Sequence, residues 1–473
     1  MSTAMHDASI LSQEQAQSIP STVRFLVYYL VFTALYFLTG FYNLIPVQVI
    51  RNNAGLKGQT FIVFFVALTI LGMRSQVRGI FSFPLRTNLL VFLGFVLLSV
   101  AVGMLNLGED FFKLQRESAS YFSLPYFLVI LALIVLMIKV HQSFSDFELL
   151  LKVWLVLSAV TIIIARITSL GINWYDLAGF YQSQEREAGI MSLSVTEVRG
   201  RFLLRESFLW LDTNVYASLV VIGILIAMYF LMNANGWRRK LAIYGYVLLA
   251  GSSLIASSSR SAVLQLLAGF VTFTFLVRKS NRRSRQLYFT LALVVTGVLS
   301  FYYGSQESLS VFVYRMMIAS DFVSTGPTWV TLDGAAMSRY LTATMAWDYF
   351  VSHPLVGSGG IQYATIGFTT NHSEILNYLS QFGIFAWGAL ILLYIRVPWN
   401  LLRLRSRQSY SDRQFTLIAL LVALNAVCAV RMLTDPNFYT YWIVVAASIA
   451  FLKVMQNDSR EQTQNILHTQ EVL

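Results

Sequence analysis

Charge is what this chain has least of. Only 12 % of its 473 residues are Asp, Glu, Lys or Arg, while 56 % are hydrophobic; a soluble domain carries roughly 25 % charged residues. With a mean hydropathy of +0.62, that scarcity excludes a soluble globule. Cysteine occurs once, at Cys428 inside an apolar run, so the chain cannot close a disulfide on itself and its redox compartment is not legible from sulfur. Residues 1–23 lack the short apolar core and small-residue cleavage site of a removable signal peptide. The first apolar span is therefore expected to act as its own insertion signal. No internal repeat and no low-complexity linker divides the chain. That predicts one membrane domain over 24–456 between polar tails at 1–23 and 457–473.

What is present is long apolar runs. Stretches of about the length that a helix needs to cross the hydrocarbon core lie near 25–46, 59–73, 87–105, 121–139, 149–170, 214–233, 240–258, 260–278, 286–303, 375–396, 414–433 and 438–455. The expected fold class is all-α, a polytopic integral membrane protein of about 12 transmembrane helices.

The net charge of +11 raises nucleic acid as a partner, and the distribution of the charge removes it. Arg74, Arg78 and Arg86, then Arg238, Arg239 and Lys240, then Arg278, Lys279, Arg282, Arg283 and Arg285, then Arg396, Arg403, Arg405, Arg407 and Arg413 fall in alternate short loops. That is the positive-inside pattern. It predicts those loops and both termini on the cytoplasmic side. The opposite face then carries two longer outer segments, about 171–213 and 304–374, where a site on a rigid scaffold is expected.

Arginine recurs on that outer side, against the orientation bias. Arg199, Arg201 and Arg205 lie in the first outer segment. Arg201 and Arg205 would share one face of a helix, either as a solvated stripe or as ligands. Arg260 in LIASSSRSAVLQLL and Arg431 in NAVCAVRMLTDPN are nearly within the membrane, where a cation costs about 2.5–3.5 kcal/mol at a span's centre. Arg431 has Asp435 four residues on and reads as a structural ion pair. Arg260 has no acidic neighbour in sequence; it is either a snorkelling residue at a tight outer turn or an anion ligand.

Histidine is scarce, five residues in all, yet one opens an apolar run at Asn371-His372-Ser373-Glu374. Asn371 and Glu374 have the spacing of an N-cap and a carboxylate reaching back, which leaves the imidazole unexplained. A helix start favours a nearby anion, and an imidazole suits proton transfer. His353 precedes a proline and reads as a turn element. Gly357-Ser358-Gly359-Gly360 reads as a flexible turn; it does not join a strand to a helix as a dinucleotide fingerprint would.

In this order the features resemble the superfamily of O-antigen ligases and Wzy-type polymerases of bacterial envelopes. They are Arg205 ahead of Asp212-Thr213-Asn214, Ser259-Arg260 at a helix junction, Arg339 ahead of the His353–Gly359 element, and His372 at the next helix. The resemblance covers about 200–395. Arg315 and Gly326 stand at a spacing similar to one described for the polymerases. The chain departs from the family in having Phe208 where a glycine is usual, Thr213 where proline is usual, and Ser373 where Asn is usual after the histidine.

The resemblance implies an inner-membrane glycosyltransferase that polymerises polyprenyl-pyrophosphate-linked repeat units into O-antigen, capsule or exopolysaccharide on the membrane's outer face. The alternatives are a ligase passing the glycan to lipid A-core or protein, and a lipid-linked oligosaccharide flippase or other transporter. It implies His372 and Arg260 as catalytic residues, and Arg205, Arg201, Arg339 and Asn214 on the pyrophosphate or glycan. The implied partners are the lipid-linked donor, the growing glycan acceptor and the bilayer, with a chain-length regulator or flippase alongside. No cofactor, metal or nucleic acid is implied. A metal-dependent lipid-linked sugar transferase with an acid in its first outer loop is disfavoured, because IPVQVIRNNAGLKGQT has no Asp or Glu. A transporter would show repeat symmetry and helices interrupted near the midplane, whereas the polar residues here gather at outer loops and helix ends.

The alternating basic loops give the first test. A reporter active only in the cytoplasm is expected to work when fused near residue 280 or 405 and to fail near 190 or 340. The reverse pattern would invert the topology.

Overall fold

The structure, a computed structural model, describes residues 83–108, parts of 131–141, 143–169, 193–198, 201–206, 213–257, 259–277, 334–359, 373–406, 410–434 and 441–457. These form helices α1 (Arg86–Leu107), α2 (Phe144–Ser169), α3 (Thr213–Asn233), α4 (Trp237–Ala256), α5 (Arg260–Val277), α6 (Gly334–Ser352), α7 (Glu374–Arg405) and α8 (Asp412–Thr434), followed by α9 (Tyr441–Asn457). Among the described residues α1, α2, α3, α7 and α8 are long and apolar enough to cross a membrane, and α5 and α9 are shorter apolar helices. With α4, all coincide with runs read from the sequence. The runs at 25–46, 59–73 and 286–303, and most of 121–139, lie outside the described residues, as do both terminal tails.

Two elements within the expected outer segments were not legible as such. Strands β1 (Leu193–Val198) and β2 (Arg201–Glu206) pair antiparallel, with Val198 opposite Arg201 and Ser194 opposite Arg205. The helical reading of Arg201 and Arg205 is therefore corrected to a strand. The two positions keep the same parity, because a separation of four is even in a period of two. Helix α6 occupies part of the second outer segment and packs against α7.

Side chains between helices fix which ends lie together. Arg396 Nη1 donates to Asn88 Oδ1 (3.0 Å) and Arg405 Nη2 to the Leu276 carbonyl (2.6 Å). Tyr229 Oη donates to Glu148 Oε1 (2.9 Å), which also faces Arg413 Nε (3.7 Å). One end of the bundle thus gathers the starts of α1, α2 and α8 and the ends of α3, α5 and α7, with the basic residues of the short loops. The starts of α3, α5 and α7 and the end of α8 share the opposite end. Helices α5 and α7 are parallel, and α8 runs against both and packs on each.

The core is apolar and aromatic. Phe92 of α1 packs on Tyr378 of α7 (5.9 Å between centroids) and Trp442 of α9 (5.8 Å), and Tyr394 stacks on Tyr441 (3.8 Å). Gly223 of α3 lets the Tyr246 hydroxyl reach Ser158 of α2 (2.8 Å); a Cβ there would lie 1.9 Å from Tyr246 Oη. Leu97, Val156, Phe275 and Ile395 are exposed, as expected of faces turned to lipid.

Helix α7 is broken at Gly383, whose φ of 73° and ψ of −176° belong to a region that essentially only glycine occupies. In an unbroken helix the Ile384 N–H would bond the Ser380 carbonyl. Instead it donates to the Pro354 carbonyl (2.9 Å), and the Ser380 carbonyl accepts from the Ser358 N–H (3.1 Å). Ser99 of α1 adds its hydroxyl to the Val356 carbonyl and to the Gln381 carbonyl (3.2 Å). A Cβ on Gly357 would meet the Gln381 carbonyl carbon at 2.5 Å. The His353–Gly359 element is thus a splint stitched between α1 and α7, which corrects the expectation of a flexible turn. His353 itself stacks on Tyr349 (4.8 Å), and burial pushes the Tyr349 phenol up from its ordinary pKa.

Gly383→Ala is expected to lower thermal stability in detergent, by at least the roughly 1–3 kcal/mol of such backbone strain, because the new Cβ would also lie 2.2 Å from the Leu355 carbonyl oxygen. Gly388 stands in open space on the same helix, so Gly388→Ala is expected to stabilise by about 0.5–1 kcal/mol. Shifts of the same sign in the two melts would contradict the splint.

Candidate active site

The α4–α5 corner sits at the end of the bundle shared by the starts of α3 and α5 and the end of α8. Only residues 257–259 separate the two helices, and serines turn the chain there. The Ser257 N–H reaches the Ser253 carbonyl (2.9 Å) and its hydroxyl the Leu254 carbonyl (2.5 Å). Ser259 is the N-cap of α5: its Oγ accepts from the Ala262 N–H (3.3 Å) and donates to Asn214 Oδ1 (2.8 Å). Both residues are buried. Arg260 is consequently the first residue of α5, at the helix end where backbone N–H groups favour an anion.

Asn214 is the second residue of α3, which opens at Thr213. The usual proline of the family's element would stand at that first helical position, which proline favours, so Thr213 leaves the placement of Asn214 intact. The Asn214 carbonyl also accepts from Ser218 Oγ (2.8 Å). Two residues along, the Tyr216 hydroxyl meets Ser253 Oγ. On α5, Gln265 Nε2 donates to Ser261 Oγ (2.8 Å).

The other expected residues lie on separate elements. Strand β2, which carries Arg201 and Arg205, packs against α2 and α4. Arg339 is in the second turn of α6. Asn371 and His372 lie outside the described residues, as do Asp212 and Asp435. Ser373 is the N-cap of α7, its Oγ accepting from the Leu376 N–H (3.4 Å). That corrects the cap assigned to Asn371, and it makes Glu374 the first helical residue, not the third. His372 directly precedes the cap. The family's usual Asn would cap equally well at position 373, so this departure is conservative.

Two arginines complete this end of the bundle. Arg431, near the end of α8, is 1 % exposed and among the largest fully buried side chains. Arg166, in the last turn of α2, was not singled out from the sequence. Its Nη2 donates to Ser252 Oγ of α4 (3.0 Å), and Ser252 in turn donates to the Leu249 carbonyl (2.8 Å). The signal was present: an arginine inside the span read at 149–170 is an intramembrane ion and a functional candidate by that fact.

Residues 245–393 match the family model Wzy_C, O-antigen ligase. Over this stretch the match supports the O-antigen ligase/Wzy superfamily. It takes in most of α4, all of α5 and α6, and α7 as far as Leu393, and so contains Arg260, Arg339 and His372. Asn214, Arg201, Arg205 and Arg166 precede it, and Arg431 follows it. No curated protein matches the sequence. The family supports a membrane enzyme of the O-antigen ligase or polymerase type that transfers glycans.

The Ser259–Asn214 bond gives a test within the site. Ser259→Ala is expected to remove a cap worth about 1 kcal/mol together with the buried bond to Asn214 Oδ1, worth about 0.5–1.5 kcal/mol, whereas Ser259→Thr keeps both bonds. In a double-mutant cycle with Asn214→Ala, melting in detergent should show the paired loss smaller than the sum. Additive losses would mean that the two side chains do not act on one another.

Proposed function

We propose that the protein polymerises polyprenyl-pyrophosphate-linked oligosaccharide repeat units on the outer face of the bacterial inner membrane. The observation that carries this reading is the placement of Arg260 as the first residue of a helix capped by Ser259 and held to Asn214, inside the family-matched stretch. The start of α7, which follows His372, lies at the same end of the bundle.

In this reaction an acceptor hydroxyl attacks the anomeric carbon of the donor, and the bond from that carbon to the diphosphate oxygen breaks. Diphosphate leaves readily only when its growing charge is met. An arginine meets it with a planar, permanently charged fork that can bond two oxygens at once, and the positive end of α5 adds to it. Arg260 takes this role, with Arg205, Arg201 and Arg339 on the diphosphate or the adjoining sugars. Asn214 holds the corner through Ser259. His372 orients the acceptor hydroxyl and takes its proton.

A ligase reading uses the same donor chemistry with lipid A-core or protein as acceptor, and the family's description as O-antigen ligase favours keeping it. Polysaccharide size separates the two. Loss of the gene removes long chains and leaves single repeats if the protein polymerises; it leaves free, unattached polymer if it ligates.

Purified protein in lipid discs with lipid-linked repeat units tests the roles. Arg260→Ala is expected to abolish chain growth and weaken donor binding while the protein still accumulates in the membrane, and Arg260→Lys to recover little, since an ammonium lacks the fork. His372→Ala is expected to lower turnover by roughly 10²–10⁴-fold with donor binding kept. Full activity in both alanine variants would overturn the proposal.

A further inference from the structure

We propose that Arg166 is a further donor-binding residue, a guanidinium on α2 that contacts the diphosphate of the lipid-linked donor and sets the preference for diphosphate over monophosphate. The inference rests on the reading above for the identity of the donor. It rests on the structure for the residue.

The ordinary account of an arginine in the last turn of a membrane helix is that it snorkels outward to the interface and favours the negative end of its own helix. Arg166 does not reach outward. It bonds Ser252, a buried hydroxyl on a neighbouring helix, one turn before the end of α4. That hydroxyl stands in the run of serines that builds the Arg260 corner. Ser253, the next residue, meets Tyr216 of α3, and Asn214 of α3 holds Ser259, the residue before Arg260. Three side-chain bonds, Arg166–Ser252, Tyr216–Ser253 and Ser259–Asn214, therefore link α2 to α4, α4 to α3 and α3 to the cap of α5.

The position suits an anion with two charged groups. Arg166 lies about one turn inside the end of α2 and Arg260 at the first residue of α5, both at the end of the bundle shared by the starts of α3 and α5 and the end of α8. Strand β2, with the positions of Arg201 and Arg205, packs against α2 and α4, the two helices that Arg166 joins. Arginine positions brought to one end of the bundle favour an anion that carries more than one charge. Diphosphate carries more charge than monophosphate and offers oxygens on two phosphorus atoms. A second guanidinium fixed away from the first therefore discriminates between the two lipids, because only diphosphate can reach both.

The test titrates the full-length protein in phosphatidylcholine discs with polyprenyl pyrophosphate and with polyprenyl monophosphate. Arg166→Ala is expected to weaken diphosphate binding roughly 10- to 100-fold, the worth of a lost bond to a charged group, and monophosphate binding much less, so that the preference collapses. Arg166→Gln keeps a donor for Ser252 without the charge and should behave like the alanine variant if the anion role is right. A wild-type preference in Arg166→Gln would show that the residue only braces α2 on α4, and would overturn the inference, as would equal losses for the two lipids. Arg166→Lys should keep part of the preference. A loss that disappears in phosphatidylcholine and appears only in phosphatidylglycerol discs would assign Arg166 to bulk headgroups, and would also overturn it. The Arg260→Ala arm separates the two levels of the argument. Weakened binding there with none in the Arg166 variants sinks this inference alone, whereas a wild-type protein that binds neither lipid sinks the donor reading itself.

Discussion

A helix can end or break inside a bilayer only where something other than water takes its backbone hydrogen bonds, and the placement of this site follows from how the chain meets that demand. At the α4–α5 corner the substitutes are the hydroxyls of Ser257 and Ser259. At the mouth of α7 it is Ser373. At the break in α7 the substitutes are backbone groups of Pro354 and Ser358, borrowed from a neighbouring segment. Serine suits the work because it is small enough for helices to approach and can donate and accept at once. Ser259 does both, closing α5 and reaching Asn214 with the same oxygen. A helix start that is fixed by a buried bond to another helix is a fixed place for a charge.

The two ends of the bundle spend charge differently. At the basic end Arg413 is 57 % exposed and its contact with Glu148 is long, 3.7 Å; such a pair is worth at most about 1 kcal/mol, and its residues matter for orientation more than for stability. At the other end Arg431 is 1 % exposed and Arg166 is tied to a buried hydroxyl. A cation taken out of water is costly unless it is paired or hydrogen-bonded, so such residues are held by their partners. The contrast in burial, and not the number of arginines, distinguishes the two ends.

The sequence was most legible where one period dominates. A run of apolar residues long enough to span a bilayer has few alternatives, and α1, α2, α3, α4, α5, α7, α8 and α9 fall where the runs were read. The hairpin was not legible, because LSVTEV and RFLLRE are short, mix polar and apolar residues without strict alternation and lie in a segment with no strong period. The α7 cap was read two residues early, because Asn371 with Glu374 fits one cap pattern as well as Ser373 with Leu376 fits another, and only the backbone decides between them. The His353–Gly359 splint could not be read at all. Its glycines are demanded by Gln381 and Gly103, residues near in space and distant in sequence. Asn214 and Arg260 were read as parts of one site from their order alone, and the bond that joins their elements runs through Ser259.

The family-matched stretch is not the whole of this arrangement. Residues 245–393 carry Arg260 and the mouth of α7, but what holds them comes from outside. Asn214 of α3 secures the cap of α5. Gly269 of α5 fits against Leu225 of α3 and Val427 of α8, where a Cβ would lie 2.6 Å from either side chain. Ser99 of α1 pins the splint to α7. Because α8 packs on both α5 and α7, it spaces the two parallel helices whose starts the reaction would use, and a change in its side chains would move one start relative to the other without touching either motif. The residues of the matched stretch and the spacing that its neighbours set are thus carried by different parts of the chain.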